Sequence, residues 1–186
     1  MATANTILFG HSNIEYWNNS KEDLKSISEK CDLGELLNIC VAGSSSSDWL
    51  GFKESLTTYN ANKGIFWIGT NEMQVGATAE QIIKNIEDTI LHIKENNQDF
   101  MVVMALVPIS PGRLIYKDKI LQLNNYIRAL SNIYDWIALA DLEYAYCDLN
   151  GNPDSKWFED GVHLTDDAYV QIFVPAIDKA LEEYYK

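Results

Sequence analysis

The stretch Ile7-Leu8-Phe9-Gly10-His11-Ser12 decides how the rest of the chain is interpreted. Its apolar run is long enough for a buried strand of a parallel sheet and too short for a helix. Gly10 permits backbone torsions that other residues avoid, so a sharp turn can begin there. Because open α/β sheets bind ligands beyond the carboxyl ends of their strands, this turn would present Ser12 at the ligand-binding edge.

The size and composition of the chain indicate a single globular domain over residues 1–186. Hydrophobic residues make up 47% of the chain and charged residues 22%, a balance that argues against wholesale disorder. The net charge of −13 argues against a nucleic-acid or anionic-membrane partner, because no basic stripe exists to neutralise phosphates. A neutral or cationic small molecule fits better.

The cysteines and the N-terminal residues indicate the cellular compartment in which the protein is expected. Cys31, Cys40 and Cys147 are odd in number and widely spaced, which predicts reduced thiols rather than a disulfide framework or a zinc site. The first residues lack a basic segment and a long apolar segment, and no 18-residue apolar run occurs anywhere. We therefore expect a soluble, cytoplasmic protein with no membrane insertion, no metal and no cofactor. The sequence does not decide whether the protein forms a homo-oligomer.

Strand and helix patterns alternate along the whole chain. Strands are predicted at about 7–9, 36–42, 63–69, 100–107 and 136–140. Helices are predicted at about 20–30, from Asp48 to Thr57, after the capping-box pattern at 78–81, over 120–130, and from Thr165 or Asp166 with a kink or restart near Pro175. This alternation predicts a three-layer α/β fold with a five-stranded, mainly parallel sheet and helices on both faces.

Groups suited to acyl transfer follow the first three strands. Ser12, Gly43 and Asn71 lie in the loops after them, and parallel strands bring these loops to one edge of the sheet. A serine hydroxyl needs a base, and Asp160 lies three residues before His163, close enough to orient its imidazole. The amides of Ser12 and Gly43 and the side-chain NH2 of Asn71 would supply three donors to an oxyanion. The pattern therefore predicts serine-dependent acyl transfer.

Four short blocks resemble the SGNH family of GDSL-type esterases and lipases. They read F-G-H-S at 9–12, A-G-S-S-S-S-D at 42–48, I-G-T-N-E at 68–72 and D-G-V-H-L at 160–164. The resemblance implies that Ser12 is the nucleophile, with Gly43 and Asn71 as further oxyanion donors. It also implies that His163 is the base and that Asp160 is its partner.

Two residues depart from the family pattern. The family usually has Gly-Asp-Ser where this chain has Gly10-His11-Ser12, and Gly-x-Asn-Asp where it has Gly69-Thr70-Asn71-Glu72. In the family the first aspartate supports the nucleophile loop, so His11 bears on loop geometry and rate rather than on reaction type. We expect hydrolysis through an acyl-serine intermediate, and the resemblance to the small single-domain members of the family implies a flavodoxin-like fold and short-chain acyl esters as substrates, with O-acetyl groups of a carbohydrate favoured.

Several alternatives stay open at this point. A thioesterase, lysophospholipase or acyltransferase would use the same residues, and a binding module could keep the fold without turnover. The serine run at 44–47 could cradle a phosphate, although in flavodoxin-like proteins that loop follows the first strand rather than the second. The candidate substrate-binding residues are Trp17, Trp49 and Arg113, with Tyr16 as a further aromatic residue near the predicted edge.

Overall fold

A computed structural model describes residues 6–17 and 33–186. The helix predicted at about 20–30 and Cys31 lie outside the described residues. Cys40 and Cys147 are both free thiols. Across the described part of the chain, no helix combines the length and the hydropathy that crossing a membrane requires.

Five parallel strands form one sheet in the spatial order β2-β1-β3-β4-β5. They are β1 (Thr6–Gly10), β2 (Leu36–Asn38), β3 (Lys63–Trp67), β4 (Met101–Ala105) and β5 (Ile137–Ala140). The sheet confirms the predicted α/β fold. After β2 the chain crosses back over β1 to form β3, so the order of strands reverses between β1 and β3. Open α/β sheets bind their ligands at a switch point of this kind.

Helices cover both faces of the sheet. One layer contains α2 (Ser46–Leu56), α3 (Ala79–Asn96) and α4 (Lys117–Ile133). The other contains α1 (Ser12–Trp17), the single turn α5 (Asp166–Ala168) and α6 (Val174–Tyr184). Alternate strand residues point to opposite layers, so Phe9 of β1 joins the first core while Leu8 joins the second.

The capping box predicted before α3 is present. The Gln81 amide donates to Thr78 Oγ1 at 3.3 Å, and the Thr78 amide donates to Gln81 Oε1 at 2.9 Å. These two bonds satisfy amides that have no partner within the first helical turn. The apolar face that follows is buried against the sheet and contains Ile82, Ile86, Ile90 and Ile93.

Helix α2 begins differently from the prediction that Asp48 caps it. Ser45 is the N-cap, and Asp48 is the third helical residue, where it completes a capping box. The Ser45 amide donates to Asp48 Oδ2 at 2.8 Å, and the Asp48 amide donates to Ser45 Oγ at 3.4 Å. A run of four serines offers several candidate caps, so the pattern alone did not identify the right one.

The C-terminal helix is interrupted next to Pro175, as predicted. Thr165 caps α5, and a π-helical turn over Tyr169–Phe173 separates it from α6. Proline has no amide proton to donate to the preceding turn, which favours a local change of helical period. The wider turn holds Tyr169, whose hydroxyl donates to the backbone oxygen of Asn13 at 2.7 Å.

Candidate active site

The turn that carries Ser12 depends on glycine at position 10. Gly10 has a φ of +146°, and a Cβ atom there would overlap the carbonyl oxygen of Trp67 on β3. The next amide, that of His11, donates to the same oxygen at 3.2 Å. Ser12 is then the first residue of α1 and is 7% exposed. The sequence therefore places this hydroxyl at the switch point between β1 and β3.

Ser12, His163 and Asp160 form one hydrogen-bonded chain. Ser12 Oγ lies 2.9 Å from His163 Nε2, and His163 Nδ1 lies 2.6 Å from Asp160 Oδ2. A carboxylate can only accept, so the imidazole proton resides on Nδ1 and the lone pair of Nε2 faces the hydroxyl. This arrangement can take a proton from Ser12.

The Asp160 carboxylate is held in place by its own loop. Its Oδ1 atom accepts from the amides of Val162 and His163, each at 2.9 Å, which leaves Oδ2 for the imidazole. The amide of His163 is the largest cause that lowers the pKa of Asp160 to about 2, and the His163 ring adds to it. Asp160 is therefore ionised at neutral pH, and its side chain is 56% exposed to water.

Asn13 joins the histidine loop to the nucleophile turn, and nothing in the sequence motifs pointed to it. Its Oδ1 atom accepts from the Leu164 amide at 3.1 Å, and its Nδ2 atom donates to the Val162 oxygen at 3.4 Å. These two bonds hold the backbone of the residues directly before and directly after His163. Asn13 is 5% exposed, so water competes little for its amide group.

The loops that carry Gly43 and Asn71 meet the nucleophile turn. Ser44 Oγ donates to the Gly10 oxygen at 3.0 Å, and Asn71 Nδ2 donates to the Ser44 oxygen at 3.0 Å. One hydrogen of the Asn71 amide remains for another acceptor. No backbone oxygen of the described residues accepts from the amides of Ser12 or Gly43.

Glu72 replaces the aspartate of the family pattern and has a structural role here. It is 7% exposed, and its Oε1 atom accepts from the Ser46 amide at 2.7 Å. That amide is the first of α2, where a carboxylate interacts favourably with the helix dipole. Glu72 therefore fixes the start of α2, which follows the Gly43 loop directly.

A pocket of about 490 Å³ opens beside Gly43, within the usual range of roughly 300–1,000 Å³ for small-molecule sites. Trp49 lines it while its indole Nε1 donates to Ser44 Oγ at 3.0 Å. Trp49 is only 3% exposed, since its ring packs on Phe9 and Phe66. The other apolar lining residues are Ile39, Val41, Ala42, Phe52 and Tyr59.

Trp17 does not reach this edge of the sheet, which corrects the expectation that it binds substrate. It is fully buried in the second core, where its ring packs edge-on against Phe173 with centroids 5.0 Å apart. Its neighbour Tyr16 is the exposed aromatic residue, and its ring centroid lies 4.8 Å from that of His163. Arg113 lies beside His11 and Val162, in a cavity separate from the 490 Å³ pocket.

The described residues contain no cluster of three or more His, Cys, Asp or Glu side chains that could hold a metal ion.

Comparisons with known proteins identify the family and the fold. The model of the GDSL-like Lipase/Acylhydrolase family matches residues 10–174. A solved GDSL-like lipase from Bacteroides thetaiotaomicron VPI-5482 is similar at 20% identity, with a TM-score of 0.76 over 97% of this chain and 89% of that one. Among curated proteins, none matches the sequence.

Two further solved structures share the fold. The psychrotrophic esterase EstA from Pseudoalteromonas sp. is 16% identical, with a TM-score of 0.72 over 97% of this chain and 98% of that one. A carbohydrate esterase family 3 protein from Talaromyces cellulolyticus is 14% identical, with a TM-score of 0.70 over 96% and 98%. The family match covers most of the sequence, and this chain therefore belongs to the GDSL-like lipase and acylhydrolase family of hydrolases.

Proposed function

We propose that this hydrolase cleaves short-chain acyl esters through an acyl-Ser12 intermediate, with O-acetyl groups on a carbohydrate as the favoured substrates. The hydrogen-bonded chain from Ser12 through His163 to Asp160 is the observation that carries the proposal. It supplies a nucleophile, a general base and a group that orients the base.

In the first half of the reaction, Ser12 Oγ attacks the ester carbonyl carbon while His163 Nε2 takes the hydroxyl proton. The carbonyl oxygen becomes an oxyanion, and the amides of Ser12 and Gly43 and the Asn71 NH2 group donate to it. Collapse of this intermediate breaks the carbon–oxygen bond of the ester. His163 gives its proton to the leaving alkoxide, which departs as an alcohol.

In the second half, water attacks the acyl carbon and His163 Nε2 takes a proton from it. The oxyanion forms again, and its collapse releases Ser12 Oγ, which recovers its proton from His163. The products are the free acid and the unmodified enzyme. Throughout both halves the ionised Asp160 accepts from Nδ1 and stabilises the imidazolium form of His163.

Three observations favour a neutral carbohydrate ester. The net charge of −13 disfavours anionic substrates. Exposed aromatic rings lie at the site, with Tyr16 against His163 and Phe52 in the pocket beside Gly43, and such rings pack well on the apolar face of a sugar. The carbohydrate esterase from Talaromyces cellulolyticus, which shares the fold, gives a further reason to test acetylated sugars.

The first experiment measures release of p-nitrophenol from p-nitrophenyl acetate by purified protein. We expect turnover, and we expect Ser12→Ala to reduce kcat by at least about 10⁴-fold, as the loss of a triad nucleophile does elsewhere. Ser131→Ala is the matched control, since that hydroxyl donates to the Arg128 oxygen on α4 and takes no part in the site. Equal activity of wild type and Ser12→Ala would contradict the proposal.

A longer acyl chain, as in a lysophospholipase or thioesterase, is the second candidate. The apolar lining and the 490 Å³ volume of the pocket beside Gly43 favour it. Measuring kcat/KM on p-nitrophenyl esters from acetyl to decanoyl, and then on acetylated sugars, acyl thioesters and lysolipids, separates the two candidates. A tenfold or greater rise in kcat/KM from acetyl to octanoyl would replace the short-chain assignment with the long-chain one.

A fluorophosphonate probe tests the remaining alternative, a binding module without turnover. Such probes form a covalent bond with an activated serine. Labelling of wild type and not of Ser12→Ala is expected. If ligand binds and Ser12 stays unlabelled, the module is favoured over the enzyme.

A further inference from the structure

A small cavity lies beside the nucleophile turn, and its walls are rich in nitrogen donors. His11, Trp67 and Arg113 line it together with the hydroxyl residues Thr70 and Ser110. Its volume is about 10 Å³, close to the roughly 10–15 Å³ that a single water needs. The cavity therefore fits one small occupant.

Three buried donors in these walls have no hydrogen-bond partner in the described part of the chain: His11 Nε2, Trp67 Nε1 and Arg113 Nε. His11 is 2% exposed and Trp67 is 1% exposed, so bulk water does not solvate their polar atoms. Buried polar groups are nearly always paired, and a donor left alone is costly. These three donors belong to residues that line the same cavity, so a single occupant there could accept from all of them.

The tautomer of His11 follows from its contacts. The Asn13 amide donates to His11 Nδ1 at 3.2 Å, so Nδ1 carries a lone pair and the ring proton resides on Nε2. Burial, followed by the nearby His163 and Arg113, lowers the pKa of His11 to about 3, so the ring is neutral at neutral pH. All three unpaired nitrogens are therefore N–H donors.

The charge in these walls is positive. The Arg113 guanidinium is always charged, and it forms no salt bridge with another described residue. A single water has two lone pairs and cannot accept from three N–H groups at once. A small anion can accept from all three and also balances the guanidinium, and the hydroxyls of Thr70 and Ser110 can rotate to donate to it.

We propose that this cavity is a binding site for one small monovalent anion, chloride in ordinary solution, held by His11, Trp67 and Arg113. The site is distinct from the pocket beside Gly43 and does not depend on the proposed reaction. Its effect on the enzyme is positional. By fixing the His11 ring, the anion holds the turn that presents Ser12.

Thermal unfolding in different sodium salts at one ionic strength measures the binding directly. With gluconate as the bulky reference anion, we expect chloride to raise Tm in a saturable manner. For a dissociation constant of about 10 mM, 100 mM chloride would multiply the ratio of folded to unfolded protein by about 11, which corresponds to a rise in Tm of about 3–6 °C for a chain of this size. Iodide, which is larger, should give a smaller rise.

Two variants test the assignment of the donors. Arg113→Met removes the charge and the Nε donor, and should abolish the difference in Tm between chloride and gluconate. Trp67→Phe removes one donor and should reduce that difference. Lys84→Met is the charge-matched control, because Lys84 is 71% exposed on α3 and pairs with Asp88. It should keep the full chloride effect.

Crystals grown in sodium bromide give the second measurement, which does not depend on the stability of any variant. We expect an anomalous peak within hydrogen-bond distance of His11 Nε2, Trp67 Nε1 and Arg113 Nε. An ordered water with no anomalous signal at that position would overturn the proposal. An identical Tm in chloride and gluconate would overturn it as well.

The variant His11→Asp connects the site to activity. Its carboxylate would carry the negative charge on the chain itself, as in the Gly-Asp-Ser pattern, and would remove the need for an anion. We expect wild-type kcat to rise with chloride at fixed ionic strength and that of His11→Asp to be insensitive to it. If neither protein turns over, the proposed function fails, while the Tm and bromide measurements still decide the anion site.

Discussion

Replacing Asp160 by asparagine should disable the base without disturbing the fold, for a reason that the loop geometry supplies. The Oδ1 atom accepts from the amides of Val162 and His163, each at 2.9 Å, so the oxygen of the new amide must take that position. The NH2 group is then directed at His163 Nδ1, where Oδ2 was. A donor there forces the imidazole to present a lone pair on Nδ1, so its proton moves to Nε2 and the lone pair that faced Ser12 is lost.

The size of the effect follows from that change of tautomer. The corresponding exchange in a serine triad lowers kcat by about 10⁴-fold with the geometry intact, which is about 5.4 kcal/mol of transition-state stabilisation. Asp160 is 56% exposed, so water can partly take the place of a missing carboxylate. Asp160→Ala should therefore lose less activity than Asp160→Asn, because it removes an acceptor without introducing a donor.

The assay compares kcat and KM on p-nitrophenyl acetate for wild type, Asp160→Asn and Asp160→Ala. The matched control is Asp148→Asn, because Asp148 Oδ1 also accepts from two backbone amides, those of Asn150 and Asn152, in a loop without a histidine. The control should keep wild-type kcat. If Asp160→Asn retains more than a tenth of wild-type kcat, Asp160 does not set the tautomer of His163.

Three further predictions follow from individual contacts. Gly10→Ala should lower the free energy of unfolding by at least about 2 kcal/mol in urea titrations, since the new Cβ atom would overlap the Trp67 oxygen at a φ of +146°. Gly51→Ala is the control: Gly51 lies within α2 with open space around it, so alanine there should raise the free energy of unfolding by about 0.5–1 kcal/mol. Asn71→Ala should lower kcat by about 10²–10³-fold with little change in KM on p-nitrophenyl acetate, because one of the proposed oxyanion donors is lost. The pKa of Asp160 is about 2 in the folded state and roughly 3.9 when unfolded, so the unfolded state binds more protons and the stability from this group is lost as the pH falls from about 4 to about 2. Tm should therefore fall more steeply over that range for wild type than for Asp160→Asn.

Much of the fold was predictable because its apolar patterns are locally consistent. The isoleucines of α3 recur at helical spacing after a capping box, and both the box and the buried face are present. The run at 100–107 is buried on both sides, as a central strand of a parallel sheet should be. Where several local choices were nearly equal, the sequence did not decide between them. Ser45 rather than Asp48 caps α2, and β2 ends at Asn38 rather than at residue 42.

The tryptophans show where local reasoning about the site fails. Trp17 and Trp49 both follow strand-end loops and have the same chemistry, yet Trp17 packs in the core against Phe173 while Trp49 also lines the pocket. The difference is set by α6 and the π-helical turn before it, which are distant in sequence. They pack in the same core as Trp17, at the end of α1, whereas Trp49 of α2 belongs to the core on the other face of the sheet. Both rings are buried, and whether a buried ring also borders a pocket is a property of tertiary packing that neither residue type nor motif position determines.

The motifs supplied the reacting groups, but the distances between them depend on residues outside the motifs. His163 reaches Ser12 because Asn13 bonds the backbone on both sides of it, across a separation of 151 residues for the Leu164 contact, and because the Tyr169 hydroxyl holds the Asn13 oxygen. An asparagine after a serine resembles an ordinary turn residue, so no spacing rule selects it. The same applies to His11, whose position in the motif suggested only a substituted support residue. Its burial, its tautomer and the unpaired nitrogens beside it become visible once β3 and the Arg113 loop are placed around it. A residue that departs from a family pattern is therefore best interpreted through the contacts that replace the missing group.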